Sequence, residues 1–326
     1  MTRFFAHANY DFIALRKWAY FLTALFVVPG LIVLAIRGLN YSVEFTGGTM
    51  IRIRSEQAVD VGKLRAGLDQ AGVKGAEIQS FGSDKEYVIR AGLEAAGADS
   101  SNTQSVSSEV TRALDGSLGK GSYQIRDKQA IGPKVGGELR SKAFLAIFLS
   151  FFAVLAYLAF RFEWRFGVAA VLATAHDILA TIAFISILHL EVSLTVVAAI
   201  LSMVGYSLND TIIIFDRARE NLHKHKEMPF KDILNRSINE TLPRSVLTHG
   251  TTLASLTALT IWGGEVIRPF ALVMLFGVAT GTFSSIYIAS PLLMWIEEKW
   301  PAEHIRSTRK KEQPSAASRR RTQTAP

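Results

Sequence analysis

The chain has 326 residues, of which 49% are hydrophobic, and it carries a formal charge of +8 with no cysteine. The absence of cysteine excludes thiol catalysis, disulfides and cysteine-ligated metal sites. Several apolar stretches approach the roughly 20 residues that a helix needs to cross a bilayer, so the composition predicts an integral membrane protein and no nucleic-acid partner.

Six apolar stretches predict six transmembrane helices, because backbone polar groups in lipid must be satisfied within a helix. They lie at residues 18–36, 144–160, 167–188, 194–215, 245–262 and 270–296. The first is too long for the apolar core of a signal peptide and no small-residue cleavage motif follows it, so we predict an uncleaved span. The predicted organisation is a segment at 1–17, helix 1 at 18–36, a soluble domain at 37–142, helices 2 to 6 at 143–296, and a basic, disordered tail at 297–326.

The distribution of Lys and Arg predicts the orientation of these helices. Basic residues flank helix 1 at its start, Arg161 and Arg165 follow helix 2, and seven lie between 217 and 244. By the positive-inside rule, both termini are cytoplasmic and the soluble domain lies on the outer, periplasmic side. The basic tail is expected to lie near anionic lipid headgroups.

The periplasmic segment contains a regular alternation of predicted elements. We predict a strand at 43–54, a helix at 61–71, strands at 76–81 and 87–93, a loop at 94–102, a helix at 105–118 and a strand at 123–131. This β-α-β-β-α-β order is typical of ferredoxin-like domains. The predicted fold is therefore an α-helical membrane protein with six transmembrane helices and a small α+β ferredoxin-like periplasmic domain.

Helix 4 carries two polar residues, Asn209 and Asp210, within an otherwise apolar stretch. A carboxylate in the membrane costs about 2.5 to 3.5 kcal/mol on insertion scales, so such a residue is a functional candidate by default. At 100° per residue, Ser202, Gly205 and Tyr206 share the face of Asp210, which predicts a polar stripe along this helix.

Helix 5 repeats this pattern in a second stripe. Its members are Arg244, Thr248, Thr251, Thr252 and Ser255. An ion pair between Asp210 and Arg244 is geometrically reasonable, because a guanidinium favours the ionised carboxylate and its movement would load or release a proton. The alternatives are a structural aspartate bonded to hydroxyl groups and an interfacial arginine that extends towards water.

Helix 3 has His176 and Asp177 near its centre, with Thr174 and Thr181 on the face of the aspartate. Asp177 is a second candidate for proton coupling, with a structural carboxylate as an equal alternative, whereas His176 is expected to be a packed histidine. In helix 6, Gly277 and Gly281 form a G-x-x-x-G pattern that predicts close packing against a neighbouring helix.

Six motifs occur in order along the chain. They are Glu44-Phe45-Thr46-Gly47-Gly48, Ala175-His176-Asp177, Gly205-Tyr206-Ser207-Leu208-Asn209-Asp210-Thr211, Phe215-Asp216-Arg217, Leu242-Pro243-Arg244-Ser245, and Gly281-Thr282-Phe283-Ser284-Ser285-Ile286-Tyr287. In these motifs the sequence resembles the SecF branch of the SecD/SecF family, which belongs to the bacterial Sec protein-export machinery and is related to the resistance-nodulation-division transporters.

The resemblance implies an accessory subunit of the inner membrane that pairs with SecD and uses the proton-motive force in late, ATP-independent export. It implies that Asp210 and Arg244 are the proton-coupling groups, and that the SecYEG channel, YajC and the translocating preprotein are further partners. Two positions depart from the family pattern: Glu44 replaces a common aspartate, and His249 replaces a small residue. His249 lies about 140° from the Arg244 stripe, which favours a structural role over an additional titratable group.

Two other functions remain open at this stage. One is a half-sized exporter of small molecules of the resistance-nodulation-division type, and the other is a periplasmic sensing module on a membrane scaffold, which leaves Asp210 unexplained. An enzyme is not expected, because the sequence has no Walker A, H-E-x-x-H or G-x-S-x-G motif. No cofactor or metal is predicted.

Overall fold

The computed structural model describes residues 8–73, 76–92 and 103–301. A bundle of long helices carries a small domain with a four-stranded sheet, which is inserted between the first and second long helices. The predicted loop at 94–102 lies outside the described residues. So does the predicted disordered tail, except for its first residues, which continue the last helix to Lys299.

The helices found in the described residues are α1 Arg16–Arg37, α2 Val43–Thr46, α3 Val61–Gln70, α4 Thr103–Leu118, α5 Pro133–Arg161, α6 Trp164–Ile187, α7 Leu194–Lys224, α8 Phe230–Trp262, α9 Gly264–Ser284 and α10 Ser290–Lys299. A 3-10 turn, Ile13–Leu15, precedes α1, and a π-helical turn, Ser285–Ala289, joins α9 to α10. The strands are β1 Asn40–Tyr41, β2 Gly48–Ser55, β3 Glu77–Phe81, β4 Ser83–Ala91, β5 Tyr123–Ile131 and β6 Glu191–Val192.

Five helical segments of the described chain are long and apolar enough to cross a membrane. They are Ile13–Arg37, Pro133–Arg161, Trp164–Ile187, Leu194–Lys224 and Ile267–Lys299. The chain is therefore a multi-pass membrane protein. The predicted fifth span, 245–262, forms the second half of α8 and does not meet this criterion, because seven Ser and Thr residues and His249 lower its mean hydropathy. The count of six spans is thus not confirmed by length and hydropathy.

The sheet domain has the strand order β3-β4-β2-β5, with every pair antiparallel. Helices α3 and α4 pack together on one face of the sheet, and the core between them is apolar. Its fully buried members include Ile51, Ile53, Leu64, Leu68, Ile89 and Leu114. Most predicted elements of this domain are confirmed to within a few residues, because β2 alternates between more and less buried residues and α3 places buried leucines four residues apart.

The start of this domain differs from the prediction. A strand was expected from residue 43, but Val43–Thr46 form the helical turn α2, and the strand begins at Gly48. Gly47 has φ of +76°, which reverses the chain between the two elements at little cost for glycine. A methyl group on Gly136 of α5 would lie 2.9 Å from the backbone nitrogen of Gly47, so this turn packs directly on the first turns of α5.

Helix α7 lies at the centre of the helical bundle, in contact with α6, α8 and α9. Met203, Ile214 and Phe215 of α7 are almost completely buried in two apolar clusters shared with these helices. At 1.5 Å per residue, α7 is about 46 Å long, which exceeds the roughly 30 Å thickness of a hydrocarbon core. One end of α7 therefore extends beyond the membrane.

Helix α5 runs without a break from the sheet domain into the bundle. It begins at Pro133, where a missing N–H is tolerated in the first turn, and ends at Arg161. The predicted boundary between the soluble domain and helix 2, at residues 142 and 143, therefore falls inside a continuous helix. This geometry provides a rigid connection between the domain and the membrane.

Candidate functional site

Asp177 connects three helices in the interior of the bundle. The side chain, 1% exposed, projects from α6 and accepts hydrogen bonds on Oδ2 from Ser207 of α7 and, at 2.7 Å, from Ser284 of α9. Its other oxygen, Oδ1, lies 2.9 Å from Nδ1 of His176. A buried carboxylate with three polar partners is well solvated by the protein, so Asp177 holds α6, α7 and α9 in register.

Ser284, the last residue of α9, is followed by a π-helical turn that contains further hydroxyl groups. Ser285 begins the π-helical turn and is 2.8 Å from Thr211 of α7. Ser290 donates to the carbonyl oxygen of Ser285 at 2.9 Å, and Pro291, which follows it, lacks an N–H for the usual helical bond. Such π-helical turns are frequent at functional sites in helices.

Substitutions at Asp177 should separate its structural role from its charge. In Asp177→Asn, the amide oxygen can accept from both serines and the amide group can donate to a neutral imidazole, so we expect a melting temperature close to wild type. In Asp177→Leu, two buried hydroxyl groups and the imidazole lose their partner, at about 1 to 3 kcal/mol for each unsatisfied group. We expect this variant to melt several degrees lower in detergent. Equal melting temperatures for the two variants would contradict the structural role.

Asp210 forms a second buried polar site, between α7 and α8. The carboxyl group is 1% exposed, and its Oδ1 accepts a hydrogen bond of 2.5 Å from Ser245 of α8. The other oxygen, Oδ2, is buried and has no hydrogen-bond partner within the part of the chain that the structure describes. Asp210 is thus less completely satisfied by hydrogen bonds than Asp177.

The predicted ion pair between Asp210 and Arg244 does not form among the described residues. Ser245, the next residue, contacts the carboxylate instead, while the Arg244 side chain is exposed. The guanidinium and His249 nevertheless lie close enough to act on Asp210 electrostatically. The prediction missed this because α8 crosses α7 with Ser245 rather than Arg244 turned inward.

The two predicted polar stripes meet only in part. Tyr206 of α7 and Thr252 of α8 share a hydrogen bond between their hydroxyl groups. Thr248 is half-buried beside them. Asn209, Thr251 and Ser255 are exposed, as are Ser202 and Gly205. One edge of the α7–α8 pair is therefore a continuous surface of small and polar residues that the described chain leaves uncovered.

Glu44 of the predicted motif lies at the domain end of α7. Its Oε2 accepts a hydrogen bond of 2.7 Å from the backbone N–H of Leu194, the first residue of that helix. Phe45 is buried, whereas Thr46 is exposed and its hydroxyl group donates to the carbonyl oxygen of Ser42 at 3.2 Å. A carboxylate at a helix N-terminus is favoured by unpaired N–H groups and the helix dipole. The Glu44–Gly48 segment thus ties the sheet domain to the helix that carries Asp210.

A second contact supports this connection between the domain and the bundle. Arg90 of β4 forms a 2.5 Å ion pair with Glu191 of β6, and the two side chains are 17% and 24% exposed. The short strands β1 and β6 also pair in parallel, with Asn40 opposite Glu191. These contacts therefore join the sheet domain to the residues that lead into α7.

The C-terminal part of α7 and the N-terminal part of α8 are joined by charged residues outside the membrane. Glu240 accepts hydrogen bonds from Arg217 at 2.6 Å, Asn221 at 2.8 Å and Arg236 at 2.9 Å. Partial burial alone would raise the pKa of Glu240, but these donors outweigh it and lower the pKa to about 2. Glu240 is therefore ionised throughout the physiological range and fixes the two helix ends to each other.

Sequence reasoning missed four side chains of these sites. Ser207, Ser245, Ser284 and Ser285 were recognised only as parts of motifs, yet three of them donate to the two aspartates. The available signal was the presence of small hydroxyl residues in apolar helices, which commonly bond across helix interfaces. That signal does not indicate which acid each serine contacts.

Comparison with known proteins agrees with the motifs. Residues 111–299 match the family model for the protein export membrane protein SecD/SecF, C-terminal, and residues 32–59 match the SecD/SecF GG motif. A protein translocase subunit SecF from Gemmatimonas aurantiaca is 51% identical over 92% of this chain and 91% of its own length. The SecF of Escherichia coli O157:H7 is 34% identical over 91% of this chain and 90% of its own.

A solved structure has a similar fold. SecDF of Thermus thermophilus, described as a translocon-associated membrane protein, superimposes with a TM-score of 0.79 at 36% identity over 90% of this chain. This chain spans 39% of that SecDF chain. A second SecDF structure, in a super-membrane-facing form, gives a TM-score of 0.66 at 34% identity and covers 95% of this chain.

Proposed function

Since this chain belongs to the SecD/SecF family of protein export membrane proteins, we propose that it is an accessory subunit of the Sec preprotein translocase. In this proposal it acts with SecD in the inner membrane and uses the proton-motive force to promote the late stage of export. It has no enzymatic activity of its own, and its work is a conformational change driven by protons.

The observation that carries this proposal is the buried acid on α7. Asp210 is enclosed between α7 and α8, and its Oδ2 has no hydrogen-bond partner among the described residues. Arg244 and His249 lie close enough to act on it electrostatically. One charge moved across 100 mV gains about 2.3 kcal/mol, which changes an equilibrium constant by about fortyfold. Because Glu44 binds the other end of α7, a movement of this helix on protonation reaches the sheet domain.

The proposal also covers the topology of the chain in the membrane. We propose six spans, with the second half of α8 as the fifth, because its exposed surface includes large apolar residues such as Leu247, Leu259 and Ile261. With six spans, both termini lie on the cytoplasmic side and the sheet domain is periplasmic. The strand order β3-β4-β2-β5, with two helices on one face, supports the assignment of a ferredoxin-like domain.

SecD is the proposed direct partner. The exposed edge of α7 and α8, with Asn209, Arg244 and Ser255, is polar and lies in a membrane span, where lipid would solvate it poorly. A second six-span subunit covers such a surface, consistent with this chain matching 39% of the SecDF chain. SecYEG, YajC and the translocating preprotein are the further partners in this proposal.

A half-sized exporter of small molecules is less well supported. Such a protein is expected to have a mainly apolar cleft in its outer domain. The cavity of about 470 Å³ beside α3 and β3 is lined mostly by polar side chains, among them Arg65, Asp69 and Gln79. The nine-residue strand β5 forms one edge of the sheet and is largely exposed, which suits contact with an extended polypeptide better than with a small molecule.

Export from inverted inner-membrane vesicles tests the proposed function. A preprotein is arrested part of the way through the channel, ATP is removed, and respiration is then used to generate a proton gradient. We expect completion of export to be several-fold faster in vesicles that contain this chain, and a protonophore to remove the difference. Equal completion with and without the chain would refute the function, and insensitivity to the protonophore would refute its proton dependence.

A further inference from the structure

His249 is a buried histidine in the part of α8 that faces α7. Its side chain is 4% exposed, and its Nδ1 is buried with no hydrogen-bond partner among the described residues. The imidazole packs edge-on against Tyr206, with ring centroids 5.8 Å apart. A buried polar nitrogen without a partner is uncommon in a folded protein and calls for a functional explanation.

The position of His249 on α8 directs it towards Asp210. Ser245, one helical turn earlier, donates the 2.5 Å hydrogen bond to Oδ1 of Asp210. Residues four apart lie on the same face of a helix, so His249 projects from the surface that already contacts this acid. Its ring also packs on Tyr206, one helical turn before Asp210 on α7. Oδ2 of Asp210 and Nδ1 of His249 are thus two buried polar atoms in neighbouring helices that have no hydrogen-bond partner among the described residues.

The other titratable and charged groups around this pair come from α6, α7 and α8. Arg244, on α8, is exposed but within electrostatic reach of Asp210, and Tyr206 is engaged by Thr252. From α6, Asp177 and His176 form their own hydrogen-bonded cluster with Ser207, one turn before Asp210 on α7. On the α9 side, Ser285 contacts Thr211. Within the described residues, His249 is therefore the only histidine that acts on Asp210.

We propose that His249 exchanges a proton with Asp210. This proposal rests on the proposed function and adds a second titratable group to it. His249 and Asp210 form no hydrogen bond or ion pair among the described residues, so α7 and α8 must first bring Nδ1 and Oδ2 together. The imidazolium then gives its Nδ1 proton to Oδ2 of Asp210, so that one N–H bond breaks and one O–H bond forms. The products are a neutral imidazole and a neutral carboxylic acid, and the net charge of the pair is unchanged. An uncharged pair is less costly to move through the membrane than separate ions, which makes this transfer a suitable trigger for movement of α7.

Labelling of Asp210 by a hydrophobic carbodiimide, which reacts with protonated carboxyl groups, tests the proposal. The full chain with its partner subunit is reconstituted in nanodiscs, and labelling at Asp210 is followed by mass spectrometry between pH 5 and 9. In His249→Gln, which cannot carry a positive charge, labelling should persist to a higher pH than in wild type. His176→Gln, the matched change at the other aspartate, should leave the Asp210 profile unchanged.

Export measurements then separate the proposal from the function on which it rests. Proton-driven export by His249→Gln should fall at least about tenfold and change its pH dependence, with a melting temperature close to wild type. His249→Asn serves in place of His249→Gln should the longer amide prevent folding. An unchanged labelling profile together with an unchanged pH dependence would overturn the role of His249. A wild-type rate in Asp210→Asn would instead refute the proposed function.

Discussion

Replacing Asp210 with asparagine is expected to reduce proton-driven export to the rate measured without a gradient. Asparagine matches aspartate in size, and its amide oxygen can still accept the hydrogen bond that Ser245 donates to Oδ1. What is lost is the ability to gain and release a proton within the helix pair. With one charge and a gradient of 100 mV, the loss is as much as about fortyfold in the driven equilibrium.

The control for this experiment is the same chemical change at an exposed carboxylate. Asp232, in the first turn of α8, is solvent-accessible and contributes only a small interaction with the helix dipole. Asp232→Asn should therefore export at the wild-type rate. Both variants should insert, retain their partner subunit and melt close to wild type, so that a defect confined to Asp210→Asn reports on proton coupling. A wild-type response of Asp210→Asn to the gradient would exclude Asp210 as the coupling group.

Arg244 illustrates how far the sequence predicts such a site. The cost of a carboxylate in an apolar helix identified Asp210 without any knowledge of its surroundings. Helical periodicity then predicted Arg244, at the start of the neighbouring helix, as its partner. Arg244 instead lies in the middle of α8, and the adjacent Ser245 points towards Asp210. Which of them faces Asp210 depends on the rotation of α8 about its own axis, which is set by packing and not by local pattern.

The environment of Asp177 was predictable to a smaller extent. The sequence identified the acid and its position in the middle of α6. Its partners, Ser207 and Ser284, come from helices separated from it by 30 and 107 residues. Only the arrangement of the bundle brings these groups together, since each serine alone is compatible with a bond to its own helix. The proton-coupling roles of Asp177, Asn209 and Arg244 remain predictions.

The small domain was the most predictable part of the fold, because β2 alternates in burial and α3 has buried leucines at helical spacing. Its one clear difference, the helical turn at Val43–Thr46, arises from tertiary contacts: Phe45 is buried and Glu44 binds the start of α7. The apolar pattern of 43–54 was continuous, so nothing local marked the break except Gly47 and Gly48. Their positive φ values explain why the motif contains two glycines.

Gly281→Ala is expected to have a larger effect than a methyl group added at the other glycine where α9 packs against α7. The predicted close packing at this position is confirmed, since a methyl group on Gly281 would lie 2.8 Å from Cβ and 3.0 Å from Cα of Ser207. The backbone of α7 cannot move aside without displacing Ser207 from Asp177. Overpacking of this kind costs about 1 to 3 kcal/mol, so the variant should melt several degrees below wild type and show reduced export.

Gly277→Ala is the matched control, one turn earlier in the same helix. A methyl group there would lie 2.5 Å from Cγ and 2.9 Å from Cβ of Met203, so a rotamer change relieves only the first contact. Both substitutions gain about 1 kcal/mol of helix propensity over glycine, so that term cancels in the comparison. We therefore expect Gly277→Ala to be destabilised less than Gly281→Ala, whose added methyl group also lies 3.0 Å from a backbone atom, Cα of Ser207. Equal destabilisation of the two variants would show that overall helix spacing, rather than the Ser207–Asp177 contact, determines the stability of this region.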